Sequence, residues 1–185
     1  MLNLGVQELR GISLVKLEPL TVSSVSTNYI DAMKNKDLLK YTEARGVDWD
    51  KKSIMRFVEQ NLESDSSELL GIFQGEKHVG NIRLHSFSER NKSCEIGILI
   101  FSATSHGHGL GTAAVMAACD YVIEIWGVTR IMADYFLENT ASERMFEKAG
   151  FHKEGLFIKH FINMDETFSH SVRVAKNIGS RGSFN

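Results

Sequence analysis

The sequence predicts a single α/β domain of the α+β kind, with a central, mixed but mostly antiparallel sheet of about seven strands flanked by about four helices. Two observations carry this reading. Apolar residues recur with helical spacing in the first third of the chain and switch to the period of strands near Leu69. After the switch, three strand-like runs follow one another across short turns, and strand–helix–strand crossovers occur only in the second half. The length, 185 residues, suits one well-buried core and is short for two.

Residues 14–17 alternate loosely and read as a first strand, ending near Glu18 and the single proline, Pro19. Residues 23–33 place Val25, Tyr29 and Met33 on one helical face, with Ser23 or Ser24 as the N-cap. A second helix over 52–62 carries Ile54, Phe57, Val58 and Leu62 in one stripe, capped by Asp50 or Ser53. Between these helices lies a polar and aromatic loop, residues 41–49. Residues 69–73, 77–87 and 94–101 are rich in β-branched and aromatic side chains, and turns at 74–77 and 89–92 make them an antiparallel meander. A helix over 110–126 stops at Gly127, a C′ glycine. A strand over 129–136, a helix over 140–149 followed by Gly150, and a hairpin of 157–162 and 167–174 complete the order. Composition makes 1–176 the domain and 177–185 a flexible tail.

Bulk properties exclude several classes. Hydrophobic residues make up 43% and charged residues 24%, as in ordinary globular domains. A net charge of -2 argues against a nucleic-acid surface. No run approaches the roughly 18 apolar residues of a membrane span. Residues 1–10 lack the basic start and apolar stretch of a signal peptide, so the cytoplasm is the expected location. Cys94 and Cys119 lie in apolar segments and read as small buried hydrophobes in a reducing compartment. No His, Cys, Asp or Glu group has ligand spacing, so no metal is expected. The expected state is a monomer or homodimer.

The most informative stretch is Ser105-His106-Gly107-His108-Gly109-Leu110-Gly111-Thr112, between a strand and a helix. Glycines at 107, 109 and 111 let the backbone turn tightly and approach a ligand. The following helix aims its unpaired N–H groups at whatever sits there, and Thr112 adds a hydroxyl, which makes a pyrophosphate site. A glycine-rich turn that only packs tightly is the other reading. Gly111 stands where a Walker A loop needs lysine, and the glycines fall at every second residue, which breaks the dinucleotide fingerprint.

His106-Gly107-His108-Gly109-Leu110-Gly111 resembles the acetyl-CoA loop of the GNAT N-acetyltransferase superfamily, (Gln/Arg)-x-x-Gly-x-(Gly/Ala), except at its first position. Asn139-Thr140-Ala141-Ser142, followed by Phe146-Glu147-Lys148-Ala149-Gly150-Phe151, resembles the family's next motif. His152-Lys153-Glu154-Gly155 fits the branch that acetylates ribosomal-protein N-termini, whereas residues 41–46 and 72–84 look more like relatives that acetylate amino sugars. The resemblance runs over about residues 10–174.

It implies an acetyl-CoA-dependent enzyme acting on a primary amine. The pantetheine arm would lie along the strand ending at Phe101. Backbone N–H groups near Ile98, Leu99 and Ile100 would polarise the acetyl carbonyl, and those of His108, Gly109, Leu110, Gly111 and Thr112 would hold the pyrophosphate. His106 stands where the family prefers Gln or Arg. Glu95 is the candidate general base, directly or through a water; its alternative is a solvent-facing strand carboxylate. The family's thiolate-protonating tyrosine is Phe146 here, which leaves Ser142 as the remaining donor, or as a helix-start hydroxyl bonded to backbone. Asn139 caps that helix and is expected to touch pantetheine. Tyr41, Arg45 and Trp49 are candidate acceptor-binding residues, Arg45 for a phosphate or carboxylate; the alternative is a loop packing its aromatics on the core. The acceptor is a small molecule, foremost a nucleotide-linked amino sugar, or a peptide with a free N-terminus. A non-catalytic acyl-CoA-binding module is the rival from another class.

Overall fold

The computed structural model describes residues 15–101, 109–163 and 165–179. Seven strands form one sheet: β1 (Val15–Pro19), β2 (Glu68–Gln74), β3 (Lys77–Ser88), β4 (Ser93–Ile100), β5 (Arg130–Phe136), β6 (His152–Ile162) and β7 (Phe168–Asn177). Their order is β1-β2-β3-β4-β5-β7-β6. Every neighbouring pair is antiparallel except β4 and β5, so the sheet is mixed and mostly antiparallel, as the sequence predicts. The helices among the described residues are α1 (Thr27–Lys34), α2 (Lys36–Leu39), α3 (Lys51–Leu62), α4 (Leu110–Trp126) and α5 (Thr140–Lys148).

Two cores hold the layers together. On one face, α4 and α5 cover Val15, Leu70, Ile82, Cys94 and Ile131, all buried. On the other, Tyr29, Met33, Leu39, Ile54 and Val58 bring α1, α2 and α3 onto Leu69 and Leu99. Both cysteines are buried thiols, and burial pushes each up to about 12. Neither carries a reactive thiolate.

α3 and α4 follow the sequence closely. Asp50 accepts from the Ser53 N–H at 2.7 Å while Ser53 returns a bond to the Asp50 N–H, so the two candidate caps form one capping box. Gly127 ends α4 at φ 61, the left-handed geometry of a helix stop. Elsewhere local competition moves the boundaries. Thr21 bonds to the Ser23 and Ser24 hydroxyls, which make a 3-10 turn at Val22–Ser24, and α1 starts only after Ser26 caps it through the Tyr29 N–H. α2 is one turn capped by Asn35, too short to show a period. β6 begins at His152 rather than 157, because its exposed residues show no alternation. β7 continues through Asn177, and the Ile178 N–H donates to Thr129 at 2.7 Å, so the sheet runs past the boundary that composition places at 176.

Candidate active site

Strand alternation sets the floor of the site. Glu95, Gly97 and Leu99 share the face of β4 that looks toward α1 and α3, while Cys94 and Ile96 look into the α4 core. Across β3 their partners are His85, Arg83 and Asn81. This floor opens into a cavity of about 360 Å³, lined also by Tyr41, Trp49, Asp134, Phe136 and Phe161. A Cβ placed on Gly97 would meet nothing within 4 Å, so bare backbone and open space lie between Glu95 and Leu99.

The parallel pair β4 and β5 is bonded only from Ser93 to Glu95. From Ile96 to Leu99, β4 keeps β3 on one side, and no β5 residue is registered on the other. The strands part there, and an edge of β4 unpaired among the described residues is the kind an extended ligand completes as an added strand. At the head of the gap Gly109 caps α4 at φ 79, a conformation that costs any residue with a Cβ. The first bond of the helix ladder runs from the Ala113 N–H to Gly109, so the amides of Leu110, Gly111 and Thr112 point out of the helix end. A Cβ on Gly111 would stand 2.8 Å from the Met145 sulfur, so this glycine lets α4 and α5 close together. Open edge, left-handed cap and outward amides fit the pantetheine and pyrophosphate of a CoA. His106, Gly107 and His108 lie outside the described residues.

Glu95 is a quarter exposed, 3.8 Å from the Arg173 guanidinium. Arg173 is already held by Asp134, its Nε donating at 2.6 Å and a second nitrogen to the other carboxylate oxygen. With Arg173 held by that fork, Glu95 lines the cavity with only a longer contact to the guanidinium. His85, opposite Glu95, is a residue that sequence reasoning missed. Burial, then the nearby Arg83, pushes it below its ordinary value although Glu95 pulls the other way, so its ring is neutral at pH 7. Tyr29 and Asn81, also missed, line the same cavity. For His85 and Asn81 the signal is pairing register across the 89–92 turn, which an irregularity between His85 and Ser88 hides from a sequence reader.

Asn139 caps α5, its side-chain oxygen accepting from the Ser142 N–H at 3.1 Å. The Ser142 hydroxyl is half-buried on the first turn and has no hydrogen-bond partner among the described residues. Trp49 donates to Ala44 at 3.0 Å and meets Phe57 edge-on, and Tyr41 lies 5.8 Å from Phe136. Arg45 donates to the Thr42 and Ile162 carbonyls at 2.8 and 3.0 Å and lies over the rings of Phe136 and Phe161. It ties the loop at 41–46 to the β6–β7 hairpin. Among the described residues no three His, Cys, Asp or Glu side chains cluster as metal ligands, and no helix is long and apolar enough to cross a membrane.

Beyond the cavity wall, sharing Met33, Val47 and Trp49 with it, lies a second cleft of about 680 Å³. Lys34, Lys36, Lys40 and Arg45 line it and outnumber its carboxylates, Asp48 and Asp165. Asp165 turns back onto Thr167, and the three lysines, all exposed, have no ion-pair partner among the described residues.

Comparison with known proteins agrees with this geometry. The probable N-acetyltransferase YjcK of Bacillus subtilis strain 168 is 28% identical over 155 residues, 79% of this chain and 84% of that protein. Among solved structures, RimL, a ribosomal L7/L12 alpha-N-protein acetyltransferase in complex with CoA, superposes at a TM-score of 0.83 with 16% identity, covering 95% of this chain and 98% of its own. The microcin C7 self-immunity acetyltransferase MccE, in complex with acetyl-CoA and AMP, superposes at 0.79 with 19% identity over 89% and 92%. The sequence pattern of the acetyltransferase (GNAT) domain matches residues 15–152, and with the parted strands and capped α4 behind that match, the chain belongs to the GNAT acetyltransferase family.

Proposed function

We propose that the protein acetylates the primary amine of a small anionic acceptor, with a nucleotide-linked amino sugar as the class that suits the site best. The carrying observation is the pairing of two adjoining spaces, a carboxylate-bearing cavity beside β4 and a lysine-lined cleft beyond Trp49. An amine over Gly97 reaches Glu95, a sugar ring lies against Tyr41 and Trp49, and phosphates meet Lys34, Lys36 and Lys40. Each space falls within the roughly 300–1,000 Å³ typical of small-molecule sites. The same lysines repel a polycationic acceptor. They give an uncharged peptide N-terminus no advantage.

Acetyl-CoA supplies an activated acetyl group: as the amine nitrogen bonds to the carbonyl carbon, the C–S bond breaks and its electron pair leaves on sulfur. Glu95 takes the proton released from the nitrogen, with neutral His85 beside it as a second acceptor. Ser142, on the first turn of α5, offers its hydroxyl to the sulfur. Asn139 fixes that turn. Tyr41 and Trp49 hold the acceptor, and Arg45 holds the loop that carries Tyr41.

The test is release of free CoA from acetyl-CoA mixed with nucleotide-linked amino sugars, short peptides and polyamines. The nucleotide sugars should react fastest. Reversing two charges, Lys36→Glu with Lys40→Glu, should raise KM for them about tenfold or more, as loss of a charge-assisted hydrogen bond does, with kcat nearly kept. Release by peptides alone, with KM untouched by the charge reversal, would overturn the acceptor class.

A further inference from the structure

One cation of the cavity has no part in the reaction as described. Arg83 lines the cavity, and across the β3–β4 ladder it stands directly opposite Gly97, where the floor is bare backbone. Paired positions on antiparallel strands lie about 5 Å apart, so an acceptor over Gly97 has Arg83 for a neighbour. The arginine is anchored from behind. Its Nε donates to the Asn61 Oδ1 at 3.0 Å, and its guanidinium lies 5.7 Å from the centre of the Phe57 ring. Asn61, on α3, is only 5% exposed and is held at both ends of its amide. The nitrogen donates to the Phe57 carbonyl at 2.8 Å, and the oxygen also accepts from the Ser67 hydroxyl at 3.1 Å.

A guanidinium carries five N–H donors in a rigid fork, and the bond to Asn61 uses only the one on Nε. The two Nη groups have no hydrogen-bond partner among the described residues, and neither is shut away from solvent. Arg83 also has no ion pair among the described residues, although Glu43, Glu95 and Asp134 line the same cavity. Asp134 is taken by Arg173, and Glu95 is paired with His85, one step along the ladder. An arginine fixed through Nε and open at both Nη groups presents an end-on fork, which a planar carboxylate meets with two parallel bonds. The lysine cleft beyond Trp49 is a separate space that Arg83 does not line. The two sets of cations therefore address different parts of one acceptor.

We propose that Arg83 binds a carboxylate carried by the acceptor close to its amine, with Asn61 as the positioning residue behind it. Arg83 and the base Glu95 stand two residues apart along the floor, roughly 7 Å at about 3.3 Å per residue. Amine and carboxylate therefore belong to one small group of atoms. In the sugar reading that group is an aminouronic acid; a short amino acid has the same chemistry. Gripping the carboxylate would hold the nitrogen over Gly97 in the orientation that attack requires. An acceptor without it would leave the fork unmatched, so the contact selects as well as binds. This deepens the proposed function and rests on its placing of the amine over Gly97, without using the lysines.

The test compares each acid with its own carboxamide, which keeps the shape and removes the charge. Release of free CoA is followed with aminouronic acids, free and nucleotide-linked, and with short amino acids from glycine to γ-aminobutyrate, each beside its amide. Among the pairs that react, the native protein should prefer the acid about ten- to a hundredfold in kcat/KM, as a charge-assisted bond implies. Arg83→Gln should bring that ratio near one, chiefly through KM for the acid. Arg83→Lys, which keeps the charge and loses the fork, should recover only part of it. Asn61→Leu should raise KM for the acid more than KM for the amide, whereas a purely structural loss would move both alike. Equal rates for acid and amide in the native protein overturn the proposal. So does a preference that survives Arg83→Gln, or turnover confined to amines without a carboxylate. The nucleotide handle fails separately: an acid preference that depends on Arg83, with no gain from nucleotide linkage, keeps the carboxylate contact and removes the lysines from the acceptor site.

Discussion

At the scale of single residues, the site is shaped by which charges are already engaged. Asp134 takes the fork of Arg173, and Glu95, at 3.8 Å from the same guanidinium, keeps a carboxylate available to a ligand. Had Asp134 been absent, Glu95 would close on Arg173 and the floor of the cavity would lose the base we propose. Glu95→Gln preserves shape and removes only the ability to take a proton. Turnover should fall on the order of a hundredfold, with little change in acetyl-CoA affinity. The loss should be largest below neutral pH, where the amine acceptor is more fully charged and depends most on a base. A Glu95→Gln enzyme whose pH–rate profile overlays the native one would reduce Glu95 to a strand residue. Some of this was legible in the chain: the candidates Glu95, Tyr41 and Trp49 all line one cavity. His85 and Asn81 were not, because the irregular pairing between His85 and Ser88 conceals which β3 residues oppose which on β4. Arg45 shows the other limit. Its residue type suggested an anion contact, and no local pattern reveals that its guanidinium reaches the Ile162 carbonyl, distant in sequence.

At the scale of elements, α4 is where sequence and structure agree best. Its bounds at Leu110–Trp126 and its stop at Gly127 come from a long apolar run ended by one residue type, which is the clearest local signal a chain carries. The parting of β4 from β5 had no such signal, since strand order depends on contacts distant in sequence and both strands look alike locally. The two features meet at Gly111. A side chain there would strike the Met145 thioether, 2.8 Å from where its Cβ would lie, so either Met145 turns aside or the N-terminus of α4 moves away from α5. Gly111→Val should therefore weaken CoA binding by about tenfold or more in calorimetry, because amides displaced by even an ångström lose their charge-assisted bonds to phosphate. The helix itself should survive, with far-ultraviolet circular dichroism unchanged. Native CoA affinity in Gly111→Val would mean that the pyrophosphate sits elsewhere.

At the scale of the whole molecule, one sheet separates two cores, and the face that carries the cavity also carries a buried polar pair, His78 and Asn81. The α4 side is nearly all apolar, whereas the α1–α3 side includes His78 among Tyr29, Phe73 and Phe101. That difference gives stability a pH dependence with a defined sign. Burial, the largest cause, lowers the folded-state value of His78 below 6.5, although its bond to Asn81 pulls it back. Between the folded value and the unfolded one near 6.5, the unfolded chain binds a proton that the folded chain does not. The stabilising contribution of neutral His78 is therefore fully present above about pH 6.5 and is lost as the pH falls below it, down to the folded value. Tyr29, the titratable ring packed against it, is pushed up to about 12 and stays silent in this window. Urea unfolding measured from pH 7 to pH 5 should show a falling midpoint, with His78 contributing at most about 1.4 kcal/mol per pH unit. His78→Gln keeps a neutral donor toward Asn81 and cannot take the proton. Its unfolding free energy should start lower at pH 7 and then fall less steeply on acidification than that of the native chain. Parallel slopes for the two proteins would show that His78 is protonated in the fold without penalty, and the buried pair would then have to accommodate a cation.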